Sequence, residues 1–131
     1  MQNNFFKNLI VTLLIFIGFA DSVYCANYLQ CEQAMQEGKP FILYLHSNGC
    51  YACKQFTPIF NQIVSSMSEY NVVDVNYSYP QKQNVCSSAE SQTIPAVYVV
   101  NPQKRTRSKL NYDIYFKQNE FKDSLLKLLN E

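Results

Sequence analysis

Cys50 and Cys53 stand three positions apart in the run Cys50-Tyr51-Ala52-Cys53. Two thiols at that spacing close a small ring when oxidised, and the ring reopens by exchange with another thiolate. The first sulfur gains reactivity if a helix begins here, because the unpaired N–H groups and the positive dipole end of a helix N-terminus stabilise a thiolate. A zinc half-site is the other chemistry open to such a pair. It needs a second pair of ligands, and Cys31, Cys86 and His46 do not supply a close-spaced one. A purely structural disulfide is the third reading, and the position of the pair at a helix start argues against it. The residues point to a reversible disulfide, calling for neither a metal nor a cofactor.

The elements that would position these sulfurs can be read from periodicity. Phe41 to Leu45 is a continuous apolar run of β-prone residues, the pattern of a strand buried on both faces of a sheet. After the turn Ser47-Asn48-Gly49, the residues Cys53, Phe56, Phe60, Ile63, Val64 and Met67 fall on one helical stripe reaching about Glu69, with Pro58 inside it as an expected kink. Before the strand, Tyr28, Cys31, Ala34 and Met35 recur at helical spacing up to Glu37, where Gly38 and Pro40 supply a stop. Val72 to Tyr77 reads as a strand and Ser78 to Gln92 as a loop with a helical turn around Val85 to Ala89. Ala96 to Val100 reads as a strand, Asn101-Pro102-Gln103 as a turn, and Thr106 to Tyr112 as the returning strand of a hairpin. A last helix is capped by Asn119 and buries Phe121, Leu125, Leu128 and Leu129. Strand, helix and strand in succession demand a parallel pair, whereas the short turn after Val100 demands an antiparallel one. The expected class is α/β, a central mixed sheet flanked by helices on both faces.

The whole chain has 131 residues, room for one domain. Hydrophobic residues make up 47%, enough to build a packed core and to exclude wholesale disorder. A net charge of +1, with no zinc-finger pattern or long basic run, excludes nucleic acid as the main partner. Leu9 to Ala20 is an apolar run preceded by Lys7, shorter than the roughly 20 residues that span a bilayer, and it reads as an export signal. Small residues allow cleavage after Ala20, Ser22 or Cys25, dividing the chain into a signal over 1–25 and a domain over 26–131. Tyr24, bulky where a lipoprotein signal has a small residue, argues against an anchor on Cys25. An uncleaved signal anchor is the alternative, and membrane contact is expected only then. Either way the domain would face a periplasmic or otherwise exported, oxidising space, where disulfides persist. The count of five cysteines becomes even if Cys25 leaves with the signal.

The run from Gly38 through Cys53 to Lys54, with Pro58 eight residues past Cys50 and Thr93-Ile94-Pro95 just before a strand, resembles the thioredoxin family. The resemblance covers about Tyr28 to the C-terminus. It implies a thioredoxin-like fold and a thiol:disulfide oxidoreductase in which Cys50 attacks and Cys53 resolves. It further implies that Pro95 is a cis-proline facing the disulfide. Ile94 would offer backbone groups to an extended substrate by strand addition, with Tyr51 and Ala52 beside the sulfurs as further substrate contacts. Ile94 before the proline looks more like the reducing members, which tilts the expected role to reductase or isomerase. Partners implied are disulfide-containing or dithiol proteins and a redox partner protein, with the chain itself a monomer. In the same fold the first helix and the segment before the cis-proline strand share one side of the sheet, so Cys31 and Cys86 would form a structural disulfide. Free thiols or a second redox pair are the alternatives.

Two positions depart from the family pattern. Where many thioredoxins carry a buried Asp beneath the disulfide and a Lys on the next strand, this chain has Tyr44 and Asp74. His46, the single histidine, shares a strand face with Tyr44. It is a candidate modulator of the cysteine pKa values or an acceptor for the Cys53 proton, against a reading as a hydrogen-bonded packing residue. The cluster Lys104, Arg105, Arg107 and Lys109 reads as a charged hairpin that keeps an edge strand from pairing. Functions outside redox enzymology that suit the same residues are a metal-delivery module holding copper or zinc on Cys50 and Cys53, and a redox-silent protein-binding module.

Overall fold

A computed structural model describes residues 27–79, 84–87 and 93–131. Helix α1 runs over 27–37, followed by strand β1 at Phe41–His46, helix α2 at Tyr51–Ser65 and strand β2 at Val72–Asn76. Strands β3 at Ala96–Asn101 and β4 at Thr106–Lys109, a 3-10 turn at Tyr112–Ile114 and helix α3 at Gln118–Asn130 complete the order. No helix among the described residues is long and apolar enough to cross a membrane. The apolar run Leu9 to Ala20 and the cleavage positions at Ala20, Ser22 and Cys25 lie outside the described residues.

The sheet has the order β2-β1-β3-β4, with β1 parallel to β2 and antiparallel to β3, and β3 antiparallel to β4. Central placement explains composition: β1 and β3 are each buried over their first five residues, while the edge strand β2 alternates and β4 is largely exposed. Side chains alternate between two separate cores. Ile42, Tyr44, Val97 and Val99 meet Phe56, Phe60 and Ile63 of α2 and Phe121, Leu125 and Leu129 of α3 on one face. Phe41, Leu43, Leu45, Val73, Val75, Tyr98 and Val100 meet Cys31 and Ala34 of α1 and Cys86 on the other. Helices cover both faces of a mixed sheet, the α/β architecture expected from the sequence.

Cys31 and Cys86 are joined in a disulfide, Cα–Cα 6.2 Å apart across 55 positions of sequence. Both are buried on the α1 side of the sheet. Asn84 shapes the approach to Cys86, its side-chain oxygen accepting from the N–H groups of Cys86 at 2.9 Å and Ser87 at 3.0 Å. The helical turn expected around Val85 to Ala89 is a turn over 84–87, with its remainder outside the described residues.

Three boundaries differ from the sequence expectation. Helix α2 stops at Ser65 instead of near Glu69. Ser66 turns its own N–H and Oγ onto the Ile63 carbonyl, and Met67 then packs into the core from outside the helix. Strand β4 ends at Lys109 instead of Tyr112, because the Asn111 side chain accepts from Asp113 N–H at 3.1 Å and curls the chain into the 3-10 turn. Helix α3 begins at Gln118 with Lys117 at the cap position, so Asn119 lies in the first turn. Burial of Phe121, whose N–H bonds to the Lys117 carbonyl at 2.9 Å, sets that start in place of a side-chain cap.

Candidate active site

Strand β1 delivers the chain to the top of the sheet, and a polar lattice shapes the turn that follows. Cys50 N–H donates to the Ser47 carbonyl at 3.3 Å, Asn48 N–H to Ser78 Oγ at 2.7 Å, and Asn76 Nδ2 to Asn48 Oδ1 at 2.8 Å. These bonds tie the turn to the end of β2, and they place Cys50 as the N-cap of α2. The cap is the cysteine itself: Cys53 N–H points at Cys50 Sγ, 3.1 Å away. The first turn of α2 carries no acidic residue, so nothing there competes with a thiolate for the positive end of the helix.

The two sulfurs form a disulfide with Cα atoms 5.2 Å apart, and they differ in access. Cys50 is partly exposed, whereas Cys53 is 1% exposed. Of the two sulfur-bearing residues, Cys50 is therefore the one open to solvent. On the far side of the pair lies the turn before β3. The Ile94-Pro95 peptide bond is cis, Pro95 is buried, and the Ile94 carbonyl oxygen is 3.8 Å from Cys50 Sγ. Ala52 is half-buried and Tyr51 is 77% exposed, at the rim. The structure thus brings Cys50, Cys53, Tyr51, Ala52, Ile94 and Pro95 to one end of the sheet.

Beneath Cys53 the sheet supplies a layer of polar rings. The Tyr44 phenol lies 2.7 Å from Thr57 Oγ1, which itself donates to the Cys53 carbonyl at 2.7 Å, so Tyr44 is the donor in the first bond. Burial pushes the Tyr44 phenol up; the Thr57 bond opposes this and the Asp74 charge adds to it. The hydroxyl stays protonated at neutral pH. His46 stacks on Tyr44, ring centroids 4.8 Å apart, and its Nε2 lies 2.6 Å from Asp74 Oδ1. A cleft of about 570 Å³ beside the disulfide is lined by His46, Ser47, Asn48, Cys53, Lys54, Thr57 and Pro58. Among the described residues no three His, Cys, Asp or Glu side chains converge as a metal site.

Sequence reasoning passed over Thr57 and the Asn48, Asn76 and Ser78 lattice, and it noted Asp74 only as a departure. Strand alternation was the available signal: Asp74 and Asn76 share the face of β2 that β1 gives to Tyr44 and His46 in register.

The sequence model of the family described as Thioredoxin matches residues 23–127. A comparison with curated proteins found no match. Among solved structures, the J-Trx1 fragment of ERdj5 is similar with a TM-score of 0.62 and 14% identity, over 76% of this chain and 48% of that one. Thioredoxin O2 from Arabidopsis thaliana in its oxidised state is similar at TM-score 0.56 and 10% identity, over 74% of this chain and 87% of that one. DsbF of MTB, in mixed oxidised and reduced forms, gives 0.52 and 19%, over 70% and 81%. The chain spans about half the length of the first of these, and at such identities the likeness is one of fold.

Proposed function

Because the chain belongs to the thioredoxin family of disulfide oxidoreductases, we propose that it exchanges disulfides with partner proteins through Cys50 and Cys53, in an exported compartment. The observation that carries this is the asymmetry of the pair, an accessible sulfur at a helix N-terminus over a buried one three residues on. In the reducing direction the Cys50 thiolate attacks a substrate disulfide, forming a mixed disulfide and releasing one substrate thiolate. Cys53 then attacks Cys50 Sγ, the second substrate thiolate leaves, and the protein is left oxidised. An extended substrate segment lies along the Ile94 backbone beside Cys50, with Tyr51 presenting its ring at the rim. Reduction or isomerisation is the favoured direction, and a second redox protein restores the dithiol.

A Cys53→Ala chain tests the mechanism, since it retains the attacking thiol and lacks the resolving one. It is expected to accumulate mixed disulfides with cysteine-bearing proteins, seen as bands that a reductant removes; Cys50→Ala accumulates none. Equal trapping by both variants, or by neither, overturns the assignment, and the second result would favour a redox-silent module. The reduction potential of the pair tests direction. A value near about −270 mV supports a reductase, and one near about −120 mV a disulfide donor. Export is tested by fractionation and N-terminal sequencing of the mature chain, expected to begin after Ala20, Ser22 or Cys25.

A further inference from the structure

The redox chemistry does not by itself explain the pair His46 and Asp74. Their atoms meet at 2.6 Å although 28 positions separate them in sequence. The His46 side chain is 15% exposed and Asp74 52%. A carboxylate only accepts, so the neutral imidazole carries its proton on Nε2 toward Asp74, and its basic lone pair is on Nδ1. Stacking on Tyr44 holds the ring plane. His46 lines the cleft that Cys53 also lines, whereas Asp74 does not.

We propose that His46, oriented and charge-balanced by Asp74, takes the Cys53 proton in the step that resolves the mixed disulfide. The proposal rests on the redox reading above and names the group that serves it. Cys53 is buried beneath Cys50, so its thiol must lose a proton where solvent has poor access. The Cys53 Sγ–H proton crosses the cleft to Nδ1, and the Cys53 thiolate attacks Cys50 Sγ. The bond from Cys50 to the substrate sulfur breaks as the bond from Cys50 to Cys53 forms. The substrate leaves as a thiolate that takes a proton from solvent, and the imidazolium, held by Asp74, returns its own to solvent. Two electrons pass from the cysteine pair to the substrate.

Among the described residues the ionisable groups around the ring are few. Tyr44 from β1 is protonated, with burial as the first cause of its raised pKa. Asp74 from β2 is the acidic group against the ring. Lys54 from α2 is the basic one, exposed and screened by solvent. Tyr44 gives its own proton to Thr57 and, as a protonated phenol, is no base for the thiol.

The test separates the two half-reactions. Protein in a Cys25→Ser background, reduced at Cys50 and Cys53 with the buried Cys31–Cys86 bridge intact, is mixed with an aromatic disulfide whose thiolate absorbs visible light. One equivalent is released as Cys50 is captured and a second as Cys53 resolves the adduct. His46→Phe, which keeps the stacking ring, is expected to slow the second phase about 100-fold at neutral pH. The deficit closes as alkali ionises Cys53 unaided. Asp74→Asn, a change at a half-exposed position, is expected to give a smaller deficit with the same closure. A second phase that His46→Phe leaves at the natural rate across pH overturns the proposal. So does slowing by one factor at every pH, the signature of a packing role. If His46→Phe does not fold, Asp74→Asn is judged by the same two criteria. Absence of the first phase in the unsubstituted chain would instead defeat the redox reading, so the two failures are distinguishable.

Discussion

At the scale of single residues, hydroxyls under the active-site end of the sheet decide more than their number suggests. Tyr115 is fully buried, yet its phenol accepts the N–H of Val97 at 2.7 Å, supplying a partner at the β3 residue that faces α2. Burial is the main cause of its pKa being pushed up to about 12, with the Val97 bond acting in the opposite sense. The sign follows: the folded state favours the protonated phenol. Its contribution is therefore complete below the unfolded value near 10 and is lost as pH rises through about 12. Tyr115→Phe leaves Val97 N–H buried without that acceptor, and is expected to cost about 1–3 kcal/mol at neutral pH by denaturant unfolding. It should also flatten the decline in stability between pH 10 and 12 relative to the natural chain. An unchanged midpoint at neutral pH would show that the bond contributes nothing. The cysteines obey a similar local logic: position on one helix turn made Cys50 the cap and Cys53 the buried partner, and both are legible from a spacing of three.

At the scale of elements, the second disulfide links α1 to the segment that leads into the Ile94-Pro95 turn. Ile94 packs against the same core that holds Cys31 and Cys86, and its carbonyl reaches toward Cys50. Removing both sulfurs with Cys31→Ala and Cys86→Ala is expected to lower unfolding free energy by about 2–4 kcal/mol, the usual value for a bridge closing a loop of this length. It should raise KM for a protein substrate more than it lowers kcat, because the bridge lies in the core against which Ile94 of the proposed substrate turn packs, and away from the reacting sulfurs. A fall in kcat with KM constant would place the effect on the chemistry instead. Two of the three boundaries that sequence patterning misplaced, the ends of α2 and β4, lie where a single polar side chain redirects the backbone. Ser66 and Asn111 end their elements by bonding to nearby main chain. Apolar periodicity continues past such points, as Met67 does past the end of α2, since burial does not require helical geometry.

At the scale of the whole molecule, two cores share one sheet, whose edges among the described residues are β2 and β4. The β4 edge and its hairpin carry Lys104, Arg105, Arg107 and Lys109, of which Arg107 lies over the Tyr98 ring at 4.2 Å. Like charge along an unpaired strand opposes addition of another chain. Replacing Lys104, Arg105 and Lys109 together by threonine is expected to give species of higher mass than the natural chain in light scattering at equal concentration. A monodisperse triple variant would assign the cluster another role. The proposed substrate face lies where the loops after β1 and before β3 meet, at Cys50 and Ile94.

The amino-acid order by itself determined the β1-α2-β2 unit, the β3-β4 hairpin, the mixed sheet and the reactive pair, because strand burial, helical stripe and Cys spacing are all written in contiguous residues. Only the tertiary structure decided that His46 bonds to Asp74, that Cys50 faces Ile94 across 44 positions, and that Tyr44 donates to Thr57. Those contacts depend on which face each element turns to the next and at what register. A shift of one residue in either strand would send His46 or Asp74 to the opposite face of the sheet, and no local pattern in the sequence records that register.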